Sequence, residues 1–260
     1  MAFHGKLALV TGAASGMGQL SAWRLADAGA TVAALDVNEE GLARTAAGRA
    51  SVRTYRCDLA NLDEVRATVE RVGAELGAVD RVTHAAAIMP TAPLLTMPVE
   101  TIRRVMRINY EGTLHLATAT LPAMVARRAG DWIFYGSLAG LVPTPHLGAY
   151  NASKAAVNIF AEVLIHENRG SGVRILLVCP PMVDTPLLEQ AIEGSNPRSI
   201  QIGIEQGRLA KPERIVELVE EALERGDEIV FPTGEAKFLL GLRRFAPKLL
   251  WKLIEKAEAS

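Results

Sequence analysis

Lys6-Leu7-Ala8-Leu9-Val10-Thr11-Gly12-Ala13-Ala14-Ser15-Gly16-Met17-Gly18 passes from an apolar, strand-like run through three glycines into a helical pattern. A glycine turn between a strand and a helix lets the backbone approach a bound group closely. The start of the helix supplies free N–H groups and the positive end of its dipole, which suit a phosphate. The same alternation continues along the chain. Strands are read at 6–11, 31–36, 52–57, 79–86, 131–137, 173–179 and 228–231. Helices are read at 18–28, 39–47, 61–76, 99–128, 150–169 and 212–225, with the fourth interrupted near Asn109 and Asn61 or Asp63 capping the third. Strands alternating with helices over this length predict an α/β fold, a parallel sheet covered on both faces.

The composition bounds the function. At 260 residues the chain can bury one sizeable core, and a net charge of −1 gives no general reason to expect nucleic acid. Cys57 and Cys179 fall in apolar strands and read as buried free thiols, which suits a reducing cytoplasm. No Cys/His cluster has metal-site spacing, so no metal is expected. The N-terminus carries no signal-peptide pattern, and no stretch is apolar for long enough to cross a bilayer.

Asp36 ends the second strand. A carboxylate there can accept hydrogen bonds from ribose hydroxyls and would repel a 2′-phosphate. Neither Val37 nor Asn38 offers a cation, so NAD is expected rather than NADP. Asp58 and Leu59, after the third strand, are placed to meet adenine; Asp58 serves equally well as a turn or cap residue.

Tyr150 and Lys154 stand four residues apart in Tyr150-Asn151-Ala152-Ser153-Lys154, one helical turn on one face. A nearby ammonium is expected to lower the phenol pKa from roughly 10 and so fit it for acid/base work on an alcohol or ketone. Alone, such a pair is an ordinary feature of helix surfaces. Ser137 upstream and the glycine turn make it a candidate catalytic pair.

Together these residues resemble the short-chain dehydrogenase/reductase family from Lys6 to about Thr185, with a looser match to Phe231. The resemblance implies a doubly wound Rossmann sheet of seven parallel strands, with hydride transfer between a nicotinamide and a carbonyl or alcohol carbon. It implies Tyr150 as general acid/base, Lys154 as the cation that lowers its pKa and binds the nicotinamide ribose, and Ser137 as the donor to the substrate oxygen. It implies Asn109 as the residue whose backbone holds a relay water. The implied cofactor residues are Gly12, Ser15, Gly16, Met17, Gly18, Asp36, Asp58, Leu59, Ala85, Tyr150, Lys154, Pro180, Val183 and Thr185. Two departures stand out. His84-Ala85-Ala86-Ala87 replaces the usual Asn-Asn-Ala-Gly, and His84 is expected to brace the sheet in place of an amide. Pro180-Pro181 replaces Pro-Gly and stiffens the start of the substrate loop.

Substrate contacts are expected from Leu138, Leu141, Val142, His146, Met182, Leu187 and Leu188. All but His146 are apolar, so a hydrophobic substrate is expected; His146 reads equally as a solvated loop residue. One domain is expected over residues 1–234, including a substrate loop at 182–210, followed by an amphipathic helical tail at 235–260 broken at Pro247. The tail mixes Phe238, Phe245, Leu249 and Trp251 with Lys237, Arg243, Arg244, Lys248, Lys252 and Lys256. It could lie on an anionic membrane, pack on the body as a lid, or join a subunit interface. The expectation is thus a cytoplasmic NAD-dependent oxidoreductase for a hydrophobic secondary alcohol or ketone, dimeric or tetrameric through 99–128 and 150–169. The alternatives are a catalytically silent NAD-binding scaffold and a membrane-peripheral lipid-ketone reductase. The latter follows from the resemblance of the Pro180-Pro181 loop and tail to members acting on long-chain lipid ketones, which mostly use NADPH.

Overall fold

The computed structural model describes residues 3–259. Its strands are β1 (Leu7–Thr11), β2 (Thr31–Asp36), β3 (Val52–Arg56), β4 (Arg81–His84), β5 (Gly130–Tyr135), β6 (Val173–Val178) and β7 (Ile229–Val230). They form one seven-stranded sheet in the order β3-β2-β1-β4-β5-β6-β7, and every neighbouring pair is parallel. The helices are α1 (Gly16–Asp27), α2 (Glu39–Ala46), α3 (Leu62–Leu76), α4 (Val99–Met106), α5 (Gly112–Arg127), α6 (Gly148–Glu167), α7 (Pro186–Glu193), α8 (Arg198–Glu205), α9 (Pro212–Arg225), α10 (Gly234–Phe245) and α11 (Pro247–Glu258). The strand order reverses between β1 and β4, which opens a crevice at the carboxyl ends of those strands.

The period-2 alternation of the strands sorts the core into two faces. Leu7, Leu9, Ala33 and Leu35 pack with Val65, Leu116 and Ala161 of α3, α5 and α6. Ala8, Val10, Val32 and Ala34 pack with Ala22, Leu25 and Leu42 of α1 and α2. Ile133, Tyr135, Leu176 and Val178 meet Ile215 and Val219 of α9. Each fully buried Leu or Val contributes about 1.5–3 kcal/mol. Cys57 and Cys179 are buried free thiols. At the start of β4, buried Arg81 pairs with Asp131 at 2.9 Å and Glu220 at 2.6 Å, tying β4, β5 and α9 at the end of the sheet away from the crevice.

The expected break near Asn109 is instead a π-helical turn, Arg107–Glu111, joining α4 to α5 without interruption. Two helices inside the substrate loop, α7 and α8, were not expected. Each is only eight residues long, too short for a clear periodic pattern. Pro186 and Pro197 mark where they begin, because a fixed φ suits a helix start.

His84 braces the crevice end of the sheet. Its Nδ1 lies 2.8 Å from the Thr11 hydroxyl and its Nε2 2.8 Å from the Thr113 hydroxyl, linking β4, β1 and α5. The Thr113 hydroxyl donates to the Asn109 carbonyl at 2.6 Å, so it accepts from Nε2–H, and Nδ1 accepts from Thr11. Burial holds this neutral ring's pKa down to about 3, with Lys154 adding to the effect. A histidine whose folded pKa lies below its unfolded value binds fewer protons when folded. Its stabilising contribution is therefore present above pH ~6.5 and is lost as pH falls toward 3. Urea unfolding of His84→Asn beside the parent should show a shallower loss of stability across that window; identical slopes would remove His84 from the acid response.

Candidate active site

Two adjoining cavities open at the crevice. The first, about 280 Å³, is lined by Gly12, Ser15, Gly16, Met17, Gly18, Asp36, Asp58, Leu59 and Ala85. Gly12 has φ +64, and a Cβ there would lie 2.7 Å from the Ala86 nitrogen. A Cβ on Gly18 would stand 2.2 Å from the Gly12 carbonyl oxygen. These two positions admit only glycine, and the first turn of α1 closes directly on the loop. Asp36 accepts from Ala14 N at 3.1 Å and Asn38 N at 2.9 Å, which fixes its carboxylate on the cavity wall. Asp58 caps the following turn through Ala60 N at 2.9 Å while still facing the cavity. A glycine cradle at a helix start with an acid at the next strand end fits a dinucleotide. Arg104, Ile108 and Gln190 also line this cavity. Their distance from the glycine turn hid them in the sequence.

The second cavity, about 320 Å³, shares Met17, Ala85, Ala87, Thr185 and Leu187 with the first. Ser137, Tyr150, Lys154, Pro180 and Val183 lie on its wall. Helix α6 brings the first three together. Tyr150 and Lys154 lie on its buried face, and Ser137 follows the end of β5 beneath them. A hydrogen bond with Ser137 pulls the Tyr150 pKa down, but burial outweighs it and pushes the phenol up to about 12. The net shift is therefore upward, opposite to the lowering expected beside Lys154. The Lys154 nitrogen lies 5.9 Å from the phenol ring centroid and donates to the Tyr135 carbonyl at 2.8 Å. Burial lowers its own pKa to about 8. Burial shifts both groups toward their neutral forms, so Tyr150 keeps its proton, while Lys154, at about 8, is still an ammonium at neutral pH.

Asn109 lines neither cavity. Its side-chain amide donates to Ile88 O at 3.0 Å and Ser153 Oγ at 2.9 Å, and its oxygen accepts from Ile88 N at 2.9 Å. Ser153 in turn donates to Tyr150 O at 2.8 Å. The π-helical turn thus braces the α6 backbone at Tyr150.

Asn158, one turn beyond Lys154, was not anticipated. Its amide donates to Ser137 O at 2.9 Å and its oxygen accepts from Ser137 N at 3.3 Å, holding the serine by both main-chain groups. A polar residue at i+8 from Tyr150, on the same apolar helix face, was the available signal.

Leu138, Val142, Met182, Leu187 and Leu188 line the second cavity as expected. Two candidates do not. Leu141 packs into the core beside the sheet. His146 is held at φ +66, and its Nδ1 lies 2.9 Å from Ser195 Oγ, so it braces two loops and does not face the cavity. Ile200, Ile202, Ala236 and Leu239 complete the apolar wall, with Ser199, Arg208 and Thr233 as polar points. The tail therefore packs on the body. Glu258 accepts from Arg198 N at 3.0 Å and Ser199 N at 3.1 Å, supplying the N-terminal cap that Pro197 cannot give α8.

The model of the short chain dehydrogenase family matches residues 6–196. The chain belongs to that family and has its oxidoreductase fold. It is 30% identical over 239 residues to the 3-oxoacyl-(acyl-carrier-protein) reductase of Thermotoga maritima, covering 90% of this chain and 96% of that one. A short chain dehydrogenase/reductase from Burkholderia phymatum in complex with NAD superposes with TM-score 0.84 at 27% identity, covering 96% of both chains. A variant of actinorhodin polyketide ketoreductase with NADPH gives TM-score 0.77 at 28% identity, covering 86% of this chain and 92% of that one.

Removing the Asn158 amide should leave the Ser137 N–H without its side-chain acceptor, at about 1–3 kcal/mol, while Ser137 O keeps its bond from Gly140 N at 3.1 Å. Asn158→Ala is expected to lower Tm and to reduce kcat at least tenfold while leaving nucleotide affinity near the parent's, read by fluorescence quenching. A variant with parental kcat would show that Ser137 needs no such support.

Proposed function

We propose that the chain is an NAD-dependent oxidoreductase that interconverts a hydrophobic secondary alcohol and its ketone. The observation that carries this reading is the meeting of Ser137, Tyr150 and Lys154 on the wall of an apolar cavity continuous with the glycine cradle. A scaffold without turnover has no physical need for those three groups together.

The nicotinamide, when bound, supplies or accepts the hydride. Every proton and orienting contact comes from the chain. In reduction, Ser137 donates a hydrogen bond to the ketone oxygen and Tyr150 gives it the phenol proton. Oxidation runs the reverse, with Tyr150 taking the hydroxyl proton. Lys154 stands where its ammonium limits the cost of the resulting phenolate. Asn109 and Asn158 are positioning residues that act through Ser153 and Ser137. Gly12, Ser15, Gly16, Met17 and Gly18 would hold the pyrophosphate, Asp36 the adenosine ribose, Asp58 and Leu59 the adenine side, and Ala85, Pro180, Val183 and Thr185 the nicotinamide side.

The choice of NAD over NADP rests on Asp36, whose fixed carboxylate would meet a 2′-phosphate with like charge. The apolar wall supports a hydrophobic substrate. Ile159 and Val163, exposed and apolar on α6, support self-association through that helix.

Tyr150→Phe should bind NADH as the parent does and lose at least a hundredfold in kcat, since general acid/base catalysis contributes about 10²–10⁴. A near-parental rate would refute the proton role. Asp36→Ala should narrow the preference for NAD over NADP by roughly tenfold or more, as kcat/KM ratios measure; an unchanged ratio would take Asp36 out of the cofactor site.

A further inference from the structure

We infer that the outer face of α10 and α11 docks on an anionic lipid surface, over the mouth of the substrate cavity. This rests on the reading of that cavity as the site for a hydrophobic alcohol or ketone. Helix α10 has two sides with opposite environments. Ala236 and Leu239 on its inner side line the cavity, and Ala236 is fully buried. On the other side Phe238 is 66% exposed and Phe245 82% exposed, two turns apart on one stripe. Lys237 and Arg244 flank that stripe, and the Arg244 guanidinium sits 5.7 Å from the Phe245 ring centroid.

Helix α11 repeats the arrangement. Leu250 is buried, whereas Leu249, Leu253 and Trp251 are exposed. Lys248, Lys252 and Lys256 are exposed at four-residue spacing, one stripe of cations beside the Leu249–Leu253 stripe. Exposed aromatic and aliphatic side chains interleaved with cations are what an interfacial helix presents to a bilayer. The charge is complementary to that surface. Residues 235–260 hold six basic and three acidic residues, a net +3 in a chain whose total is −1. The rest of the body is therefore acidic, and an anionic surface would orient the molecule with this patch toward it.

The hairpin is also held in place to do this. Glu258 caps α8, so the tail stays on the substrate loop and does not swing free. No helix among the described residues is long and apolar enough to cross a membrane, so the contact is with the surface of the bilayer. An apolar ketone partitioned into that surface would lie against the helix that walls the cavity.

The test uses the full chain, sedimented with phosphatidylcholine vesicles with and without phosphatidylserine. Binding is expected to the mixed vesicles and to weaken with added salt. It should fall roughly tenfold or more in Phe238→Ser/Phe245→Ser and in Lys248→Glu/Lys252→Glu/Lys256→Glu. Both variants change exposed residues outside the catalytic wall, so turnover of a water-soluble ketone should match the parent. No binding to the mixed vesicles would overturn the proposal. So would equal binding by parent and variants, or dissolution of a parental dimer by Phe238→Ser/Phe245→Ser, which would assign the patch to a second copy. Parental turnover of the soluble ketone without vesicle binding would sink only the docking. Vesicle binding without turnover of any ketone would sink the functional reading instead.

Discussion

Close contact between the end of β5 and helix α6 is the constraint on which the site depends. A Cβ on Gly136 would lie 2.1 Å from the Asn158 side-chain oxygen, and one on Gly140 would lie 2.6 Å from the Lys154 carbonyl carbon. No other residue lets the loop after β5 reach the helix so nearly. With that approach, Asn158 grips Ser137 by both main-chain groups, and Lys154 and Tyr150 fall on the same wall one and two turns away. Asn109 and Ser153 hold the other side of the helix start. The proposed chemistry falls to three side chains, but their positions follow from backbone packing.

The same packing sets the electrostatics. Beside an ammonium in water a phenol gives up its proton more readily than it does alone. Here both are buried, and desolvation acts on each separately. The phenol keeps its proton and the amine holds its own less firmly. Under the proposed function that protonated phenol is the acid, and burial sets the cost of its phenolate.

Much of this was legible in the chain. Strand-helix alternation fixed the parallel sheet, and the glycine turn, Asp36 and the Tyr150–Lys154 spacing located both cavities. What escaped has physical causes. His146 lies in the right stretch but is turned outward by a positive φ and a contact with Ser195, and sequence spacing carries no such information. Helices α7 and α8 are shorter than the window in which helical periodicity can be recognised. Asn158 is one polar residue in an apolar helix, and its partner lies on another element. The role of His84 as a brace was legible because losing two amides from the sheet demanded a replacement donor and acceptor. The sign of the Tyr150 pKa shift was not, because it depends on burial and not on neighbours in sequence.

The tail shows how one element can serve two surroundings. Its inner residues complete the apolar wall, its last turn caps a helix of the substrate loop, and its outer residues remain exposed. The account as a whole is tested most directly by following NADH oxidation by the purified chain across ketones of increasing apolar length. It predicts turnover that rises with chain length and disappears in Ser137→Ala. Absence of turnover with every ketone and every matching alcohol, while the protein still binds the dinucleotide, would contradict it.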